Sequence, residues 1–201
     1  MGSITRVGIL GSGIMGAGLA EVAARAGYQV VVRSRSLEAV NEMKATIDRD
    51  FLKAIQRGKL TEEERLTLLG QIIETDDLDH VADCDLVIES VVEDLDVKLR
   101  LFEELDRVVK PGSILATNTS TLPVVAMARA TQRPDLVCGI HFFNPAPVMT
   151  VVEVVRPITA SDETIATAIE FAHRCGKDVV ETKDHAGFVV NALLFPYLNN
   201  A

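Results

Sequence analysis

Apolar residues in this chain fall into short continuous runs separated by longer amphipathic stretches. Strand-like runs occupy 5–10, 29–32, 71–75, 85–91, 113–117, 136–142, 150–155 and 178–182. Most are rich in Val and Ile and too continuously apolar to leave one face in water, which suits a sheet covered on both sides. Strands alternating with helical stretches predict an α/β fold built on a doubly wound, mostly parallel sheet of the Rossmann kind.

After the second strand the apolar spacing changes to three and four. Leu37, Val40, Met43, Ile47, Phe51 and Ala54 predict one helix over 36–56, stopped by Gly58. Thr61 and Glu64 form a capping box that opens a second helix, closed by Gly70. This helical pair is an insertion, and it reads either as packing or as a lip over a ligand crevice. A last apolar helix follows Gly187 and Phe188 through Leu193, Leu194, Phe195 and Leu198, with no later segment to bury its second face.

The first strand enters Gly11-Ser12-Gly13-Ile14-Met15-Gly16, and an alanine-rich helical stretch, 19–26, leaves it. In that strand–turn–helix context G-x-G-x-x-G is a dinucleotide-binding fingerprint. Gly11 permits the tight turn, Gly13 lets backbone approach a pyrophosphate, and Gly16 lets helix and strand pack closely. The free N–H groups at the helix start, and its dipole, favour an anion there.

Open sheets of this kind bind ligands beyond the carboxyl ends of their strands. Glu89, Ser90, Glu93, Asp94 and Lys98 follow the fourth strand, and Asn118-Thr119-Ser120-Thr121 the fifth. His141-Phe142-Phe143-Asn144-Pro145-Ala146-Pro147 ends the sixth. His141 and Glu153 each stand six positions from Pro147, so a reversal there sets them opposite each other on one face. A carboxylate beside a histidine fixes the tautomer and stabilises the imidazolium, which makes a general acid/base unit. The plainer alternative is a strand-end His and a solvated Glu. Ser120 either caps a helix starting near Pro123 or donates to a substrate oxygen. Asn191 stands on an apolar helix and needs a hydrogen-bond partner. His80, His173 and His185 lack ligand spacing, so no metal site is expected.

Composition narrows the class. A chain of 201 residues with 48% hydrophobic and 24% charged residues is that of a soluble globular protein. No apolar run approaches the ~18 residues of a membrane span. The start, Met1-Gly2-Ser3-Ile4-Thr5-Arg6, carries neither a secretory nor a myristoylation signal. Cys84, Cys138 and Cys175 form no C-x-x-C pair and read as small buried hydrophobes in a reducing compartment. A cytoplasmic location is therefore expected. A net charge of −9 argues against nucleic-acid binding, and any anionic ligand must be held by local donors.

Taken together, the segments 11–20, 91–98, 118–121, 141–145 and 187–191 resemble the L-3-hydroxyacyl-CoA dehydrogenase family. Within it the chain is similar to the bacterial 3-hydroxybutyryl-CoA dehydrogenases, over essentially its whole length. The resemblance implies an oxidoreductase interconverting (S)-3-hydroxyacyl-CoA and 3-oxoacyl-CoA by hydride transfer with a nicotinamide cofactor. It makes His141 the catalytic base and Glu153 its partner, with Ser120 and Asn191 on the substrate oxygen. Asn144 would support the His141 site and the nicotinamide, and Glu93 and Lys98 would contact the ribose on the nicotinamide side. Gly11, Ser12, Gly13, Ile14, Met15, Gly16, Asn118 and Ser120 would complete the cofactor site.

Two departures stand out. Where the family carries an acidic residue after the second strand, this chain has Arg33-Ser34-Arg35. A carboxylate there binds the ribose 2′-hydroxyl of NAD, whereas guanidinium forks take a 2′-phosphate, so NADP is expected over NAD. Second, the family continues into an all-helical domain that dimerises and closes the substrate crevice. The expected organisation is a cofactor domain with the dyad over 1–187 and the start of a linking helix over 188–201. The helical domain would be absent from these residues, and a homodimer is expected when it is present. Competing readings are a β-hydroxyacid dehydrogenase, a dehydrogenase of acyl-carrier-protein thioesters, and a non-catalytic dinucleotide-binding module.

Overall fold

The computed structural model describes residues 3–200; Met1, Gly2 and Ala201, on which the readings of the two termini partly rest, lie outside the described residues. All eight expected strands form: β1 (Arg6–Leu10), β2 (Gln29–Arg33), β3 (Ile72–Thr75), β4 (Leu86–Glu89), β5 (Ile114–Thr117), β6 (Val137–Phe142), β7 (Val151–Arg156) and β8 (Asp178–Lys183). They make one sheet in the order β3-β2-β1-β4-β5-β6-β7-β8. The strands from β3 to β6 run parallel, β7 is antiparallel to β6, and β8 is parallel to β7. The chain passes from β1 to β2 and β3 on one side and crosses back to β4 on the other, which opens a crevice between β1 and β4 at their carboxyl ends.

Among the described residues seven α-helices accompany the sheet: α1 (Ile14–Arg25), α2 (Leu37–Gln56), α3 (Glu62–Gly70), α4 (Leu95–Val108), α5 (Val124–Arg129), α6 (Asp162–Arg174) and the exposed α7 (Val190–Asn200). One apolar core joins Val7, Ile9, Val30 and Ile88 to α1, α2 and α6, with Phe51 and Phe171 inside it. A second, on the other face, joins Leu10, Val31, Val87 and Leu115 to α4 and α5 around Phe102 and Met127. Each buried Phe contributes about 1.5–3 kcal/mol of transfer free energy, so both faces hold the sheet.

Local differences from the expected pattern have simple causes. The first helix begins at Ile14, directly after the glycine turn, because Gly16 and Gly18 pack closely there rather than interrupting it. Helix α2 buries Val40, Met43, Ile47 and Phe51, while Leu37 at its first turn stays 47% exposed. The capping box at Thr61 and Glu64 is present, but Gly70 is the last residue of α3 and Gln71 its cap. Strand β8 lies at the sheet edge and is mostly exposed, unlike the fully covered strand the Val pair suggested. Helices α2 and α3 pack against α1 and β3, where Lys44 pairs with Glu74 at 2.8 Å and donates to the Ile72 carbonyl.

Cys84 and Cys138 are buried and Cys175 half-buried, all as free thiols. Burial pushes Cys84 up to about 11 and the other two up to about 12, so these thiols are inert packing groups. Among the described residues no helix is long and apolar enough to cross a membrane.

Candidate active site

A cleft of about 1040 Å³ opens over the carboxyl ends of the central strands. Its floor at one end is the turn between β1 and α1. Gly11 has φ +117, and a Cβ there would lie 2.3 Å from the Ser90 carbonyl oxygen. A Cβ on Gly16 would lie 2.0 Å from the Gly11 carbonyl oxygen, so the start of the helix rests on the turn itself. Around Gly13 a Cβ would meet nothing within 4 Å, since that position faces the open cleft.

The helix starts are finished differently. Ser36, Thr61, Asp94 and Ser161 cap α2, α3, α4 and α6 with their own side chains. Asp184 accepts from Val124 N and Val125 N at the start of α5, and Glu153 accepts from Val190 N at the start of α7. Helix α1 has Gly13 at its cap, no side-chain acceptor and no acidic residue in its first turn. Its N–H groups face the cleft beside Gly13, Ile14 and Met15, a donor set that fits the pyrophosphate of a dinucleotide.

The opposite end of the cleft holds a buried histidine. The β6–β7 register sets His141 directly opposite Glu153, as the spacing around Pro147 predicts. His141 Nδ1 lies 2.8 Å from Glu153 Oε2, and Nε2 lies 3.2 Å from Ser120 Oγ. The rings of Phe143 and Phe188 pack on the imidazole at 4.6 and 5.6 Å between centroids. Glu153 is fully buried, and its Oε1 accepts from Val189 N and Val190 N, each at 3.0 Å. Those two amides face it because Gly187 and Phe188, with φ of 76 and 50, reverse the chain just before α7.

Burial by itself would raise the Glu153 carboxyl. The hydrogen bond from His141 and those from the Val190 and Val189 amides outweigh it, holding the group below the ordinary carboxylate range. An ionised Glu153 accepts from Nδ1–H, which leaves Nε2 directed toward Ser120 and the cleft. The alternative of a strand-end His and a solvated Glu is thereby removed.

Ser120 does not cap α5, because Asp184 already does so from 60 positions away. Its hydroxyl is turned to His141, its N–H donates to Glu93 Oε1 at 3.0 Å, and its carbonyl accepts from Asn191 Nδ2 at 3.4 Å. Asn191 thus has the partner its apolar helix demanded. Asn118 lines the cleft, but its Oδ1 is occupied by Phe142 N–H at 2.8 Å. Asn144, exposed ahead of a cis Pro145, lines the cleft beside Phe143. Ser12 and Ser34 meet through their hydroxyls at 2.9 Å, and Arg33 Nε donates to the Asp76 carbonyl.

Lys98 lines the cleft at its β4–α4 edge. It is 1% exposed, and its ammonium pairs with Glu89 at 2.6 Å and Glu93 at 3.3 Å. Of the residues expected to act in catalysis or to hold the cofactor, Gly16 and Glu153 do not line the cleft, and the others line one continuous cavity. Glu89, Asp184 and Phe188 had no role assigned. Glu89 carries a signal, an acid closing an apolar strand that must find a partner. Asp184 carries none, since its partners are remote.

Residues 6–185 match the family described as 3-hydroxyacyl-CoA dehydrogenase, NAD binding domain. The chain is 47% identical over 201 residues to a 3-hydroxybutyryl-CoA dehydrogenase of Mycobacterium tuberculosis, covering 99% of this chain and 70% of that protein. It is 41% identical to one of Bradyrhizobium diazoefficiens, covering 98% of this chain and 68% of that protein. The crystal structure of an (S)-3-hydroxybutyryl-CoA dehydrogenase from Ralstonia eutropha superposes with a TM-score of 0.96 at 37% identity. That match covers 98% of this chain and 70% of the other.

Proposed function

The chain belongs to the 3-hydroxyacyl-CoA dehydrogenase family, and from that premise we propose that it interconverts (S)-3-hydroxyacyl-CoA and 3-oxoacyl-CoA, with a 3-hydroxybutyryl group as the favoured acyl chain. The observation that carries this reading is the orientation of His141, with Nδ1 held by an ionised carboxylate and Nε2 turned to the cleft beside Ser120. The bound nicotinamide supplies the chemistry of accepting or returning a hydride. His141 Nε2 takes the proton from the substrate 3-hydroxyl in one direction and returns it in the other. Glu153 stabilises the imidazolium formed between, and Ser120 and Asn191 orient the oxygen. Asn144 supports the nicotinamide end, and the start of α1 holds the pyrophosphate.

The cofactor we favour is NADP. Arg33, Ser34 and Arg35 line the cleft, and the carboxylates that line it, Glu93 and Glu104, both come from the β4–α4 side. Two guanidiniums and a hydroxyl suit a 2′-phosphate, and nothing in this loop repels one. Titrating NADPH and NADH against the protein by fluorescence tests this; NADH binding at least tenfold tighter, about 1.4 kcal/mol, overturns it. Reduction of acetoacetyl-CoA by the protein tests the reaction, and activity on free 3-hydroxy acids alone would move the reading to a β-hydroxyacid dehydrogenase. Exposed Leu193, Phe195, Tyr197 and Leu198 on α7 leave an apolar face suited to packing on further protein, and a homodimer is expected where the helical domain is present.

A further inference from the structure

We infer that Lys177 clamps the turn between β6 and β7 from behind, which makes it a positioning residue for the nicotinamide end of the cleft, acting through Asn144. The inference rests on the proposed cofactor site for its meaning, while the clamp itself stands on geometry.

The chain leaves the sheet after Phe142 and returns to it at Val151. The first residues of this turn belong to the site. Phe143 and Asn144 line the cleft, and the Phe143 ring packs on His141 at 4.6 Å between centroids. Further along, the Pro145 carbonyl accepts from Val148 N and Met149 N, each at 3.0 Å. Among the described residues no backbone N–H meets the carbonyls of Ala146 and Met149.

Lys177 supplies both missing donors. Its Nζ lies 2.7 Å from the Ala146 oxygen and 2.8 Å from the Met149 oxygen. The residue is buried, does not line the cleft, and pairs with no carboxylate among the described residues. Glu21, whose charge reaches it, is taken by Arg25 at 2.9 Å. A buried cation with carbonyl partners alone is costly, and burial holds this ammonium below the ordinary lysine range. An apolar side chain would fill the space at less cost, so the two donors are what the position requires.

The clamp has a firm base and a facing surface. Gly176, with φ 72, follows the end of α6, and Lys177 N donates to the Ala172 carbonyl at 3.1 Å. The next residue, Asp178, donates its N–H to the Thr150 carbonyl at 2.8 Å. On the other side the turn rests on the helix of the dinucleotide site. A Cβ added to Gly18 on α1 would lie 3.0 Å from Ala146 Cβ and 3.3 Å from Pro147 Cδ. The turn is thus held between Lys177 and α1, and both set where Asn144 stands in the cleft.

The test reads the two ends of the cofactor separately on the 201-residue chain. Dissociation constants are measured for NADPH and for 2′-phospho-ADP-ribose, which lacks the nicotinamide; where the wild type favours NADH, NADH and ADP-ribose take their place. Lys177→Met keeps the stem and removes the donors. It should weaken the dinucleotide about tenfold and leave the fragment within twofold. Asn144→Ala should do the same, and the two combined should cost no more than either alone. Lys177→Met strands two carbonyls and can fail to fold, so Gly18→Ala is the second lever. It crowds the turn from α1 with Lys177 intact, favours the helix by itself, and should give the same one-ended loss. In the ligand-free chain, the backbone amide NMR signals of Phe143 and Asn144 should move in Lys177→Met while those of Gly11 and Gly13 hold.

Equal weakening of dinucleotide and fragment, or a lower melting temperature with neither weakened, would make Lys177 a plain anchor of α6 and overturn the clamp. Additive losses with Asn144→Ala would overturn it too, as would Phe143 and Asn144 signals that stay at their wild-type positions. Wild-type protein that neither binds the cofactor nor reduces acetoacetyl-CoA would defeat the proposed function, and the NMR comparison would still decide the clamp.

Discussion

Two helices, α1 and α7, bring their N-termini to this one site, and they use them in opposite ways. At α7 the amides of Val189 and Val190 are occupied by the protein's own Glu153, which is fully buried and in turn orients His141. At α1 the cap is Gly13, no side chain accepts from the first turn, and the end opens on the cleft. The same backbone donors and dipole thus hold an internal anion in one place and await an external one in the other. An internal anion is there permanently and can tune a neighbouring base, whereas an open end contributes only when ligand arrives.

The comparison breaks most severely if Glu153 loses its charge. Glu153→Gln removes the anion at α7 and the group that fixes the His141 tautomer. Turnover by the natural polypeptide should fall on the order of 10³–10⁴-fold, with cofactor affinity largely kept. Steady-state kinetics beside an NADPH titration decide this, and a loss under tenfold would show that the tautomer is set elsewhere.

A smaller effect comes from finishing α1 as α7 is finished. Gly13 has an extended backbone that any residue adopts, and its Cβ direction is open. Gly13→Asp would supply a cap and fill the anion seat with a carboxylate. Thermal unfolding should show only a few tenths of a kcal/mol of added stability, while NADPH binding weakens about 100-fold. Unchanged affinity in this variant would mean that the pyrophosphate lies somewhere other than the start of α1.

The least effect concerns acid. The folded-state value of Glu153 lies below its ordinary one, so its contribution to stability is complete above the ordinary carboxylate range. It is lost as the pH falls through the folded-state value. The stability gap between wild type and Glu153→Gln should narrow on acidification, whereas wild type and Gly13→Ala should show no such trend. Melting curves between about pH 3 and 7 test it, and a gap independent of pH would contradict the assignment.

Much of the fold was legible before any coordinates. Eight apolar runs became eight strands, the glycine turn became the start of α1, and Thr61 with Glu64 became a working capping box. The His141/Glu153 register was legible as well, since Pro147 marks the reversal between them. The role of α2 and α3 was not, because a helical pair with an apolar stripe packs or projects according to what lies beneath it. Here no residue of 37–70 lines the cleft, and the pair packs against α1 and β3.

Periodicity, capping and glycine chemistry are local, written in residues a few positions apart, and for that reason the sequence alone determined the fold class, the dinucleotide turn and the His141/Glu153 register. Only the tertiary structure decided what each polar group does once neighbours compete for it. Asp184 takes the cap of α5 from across the sheet and so frees Ser120 for His141. Glu89 and Glu93 share the ammonium of Lys98 at the edge of the cleft. A side chain's partners are settled by every donor and acceptor that folding brings within about 3 Å, and those come from parts of the chain that no local pattern connects.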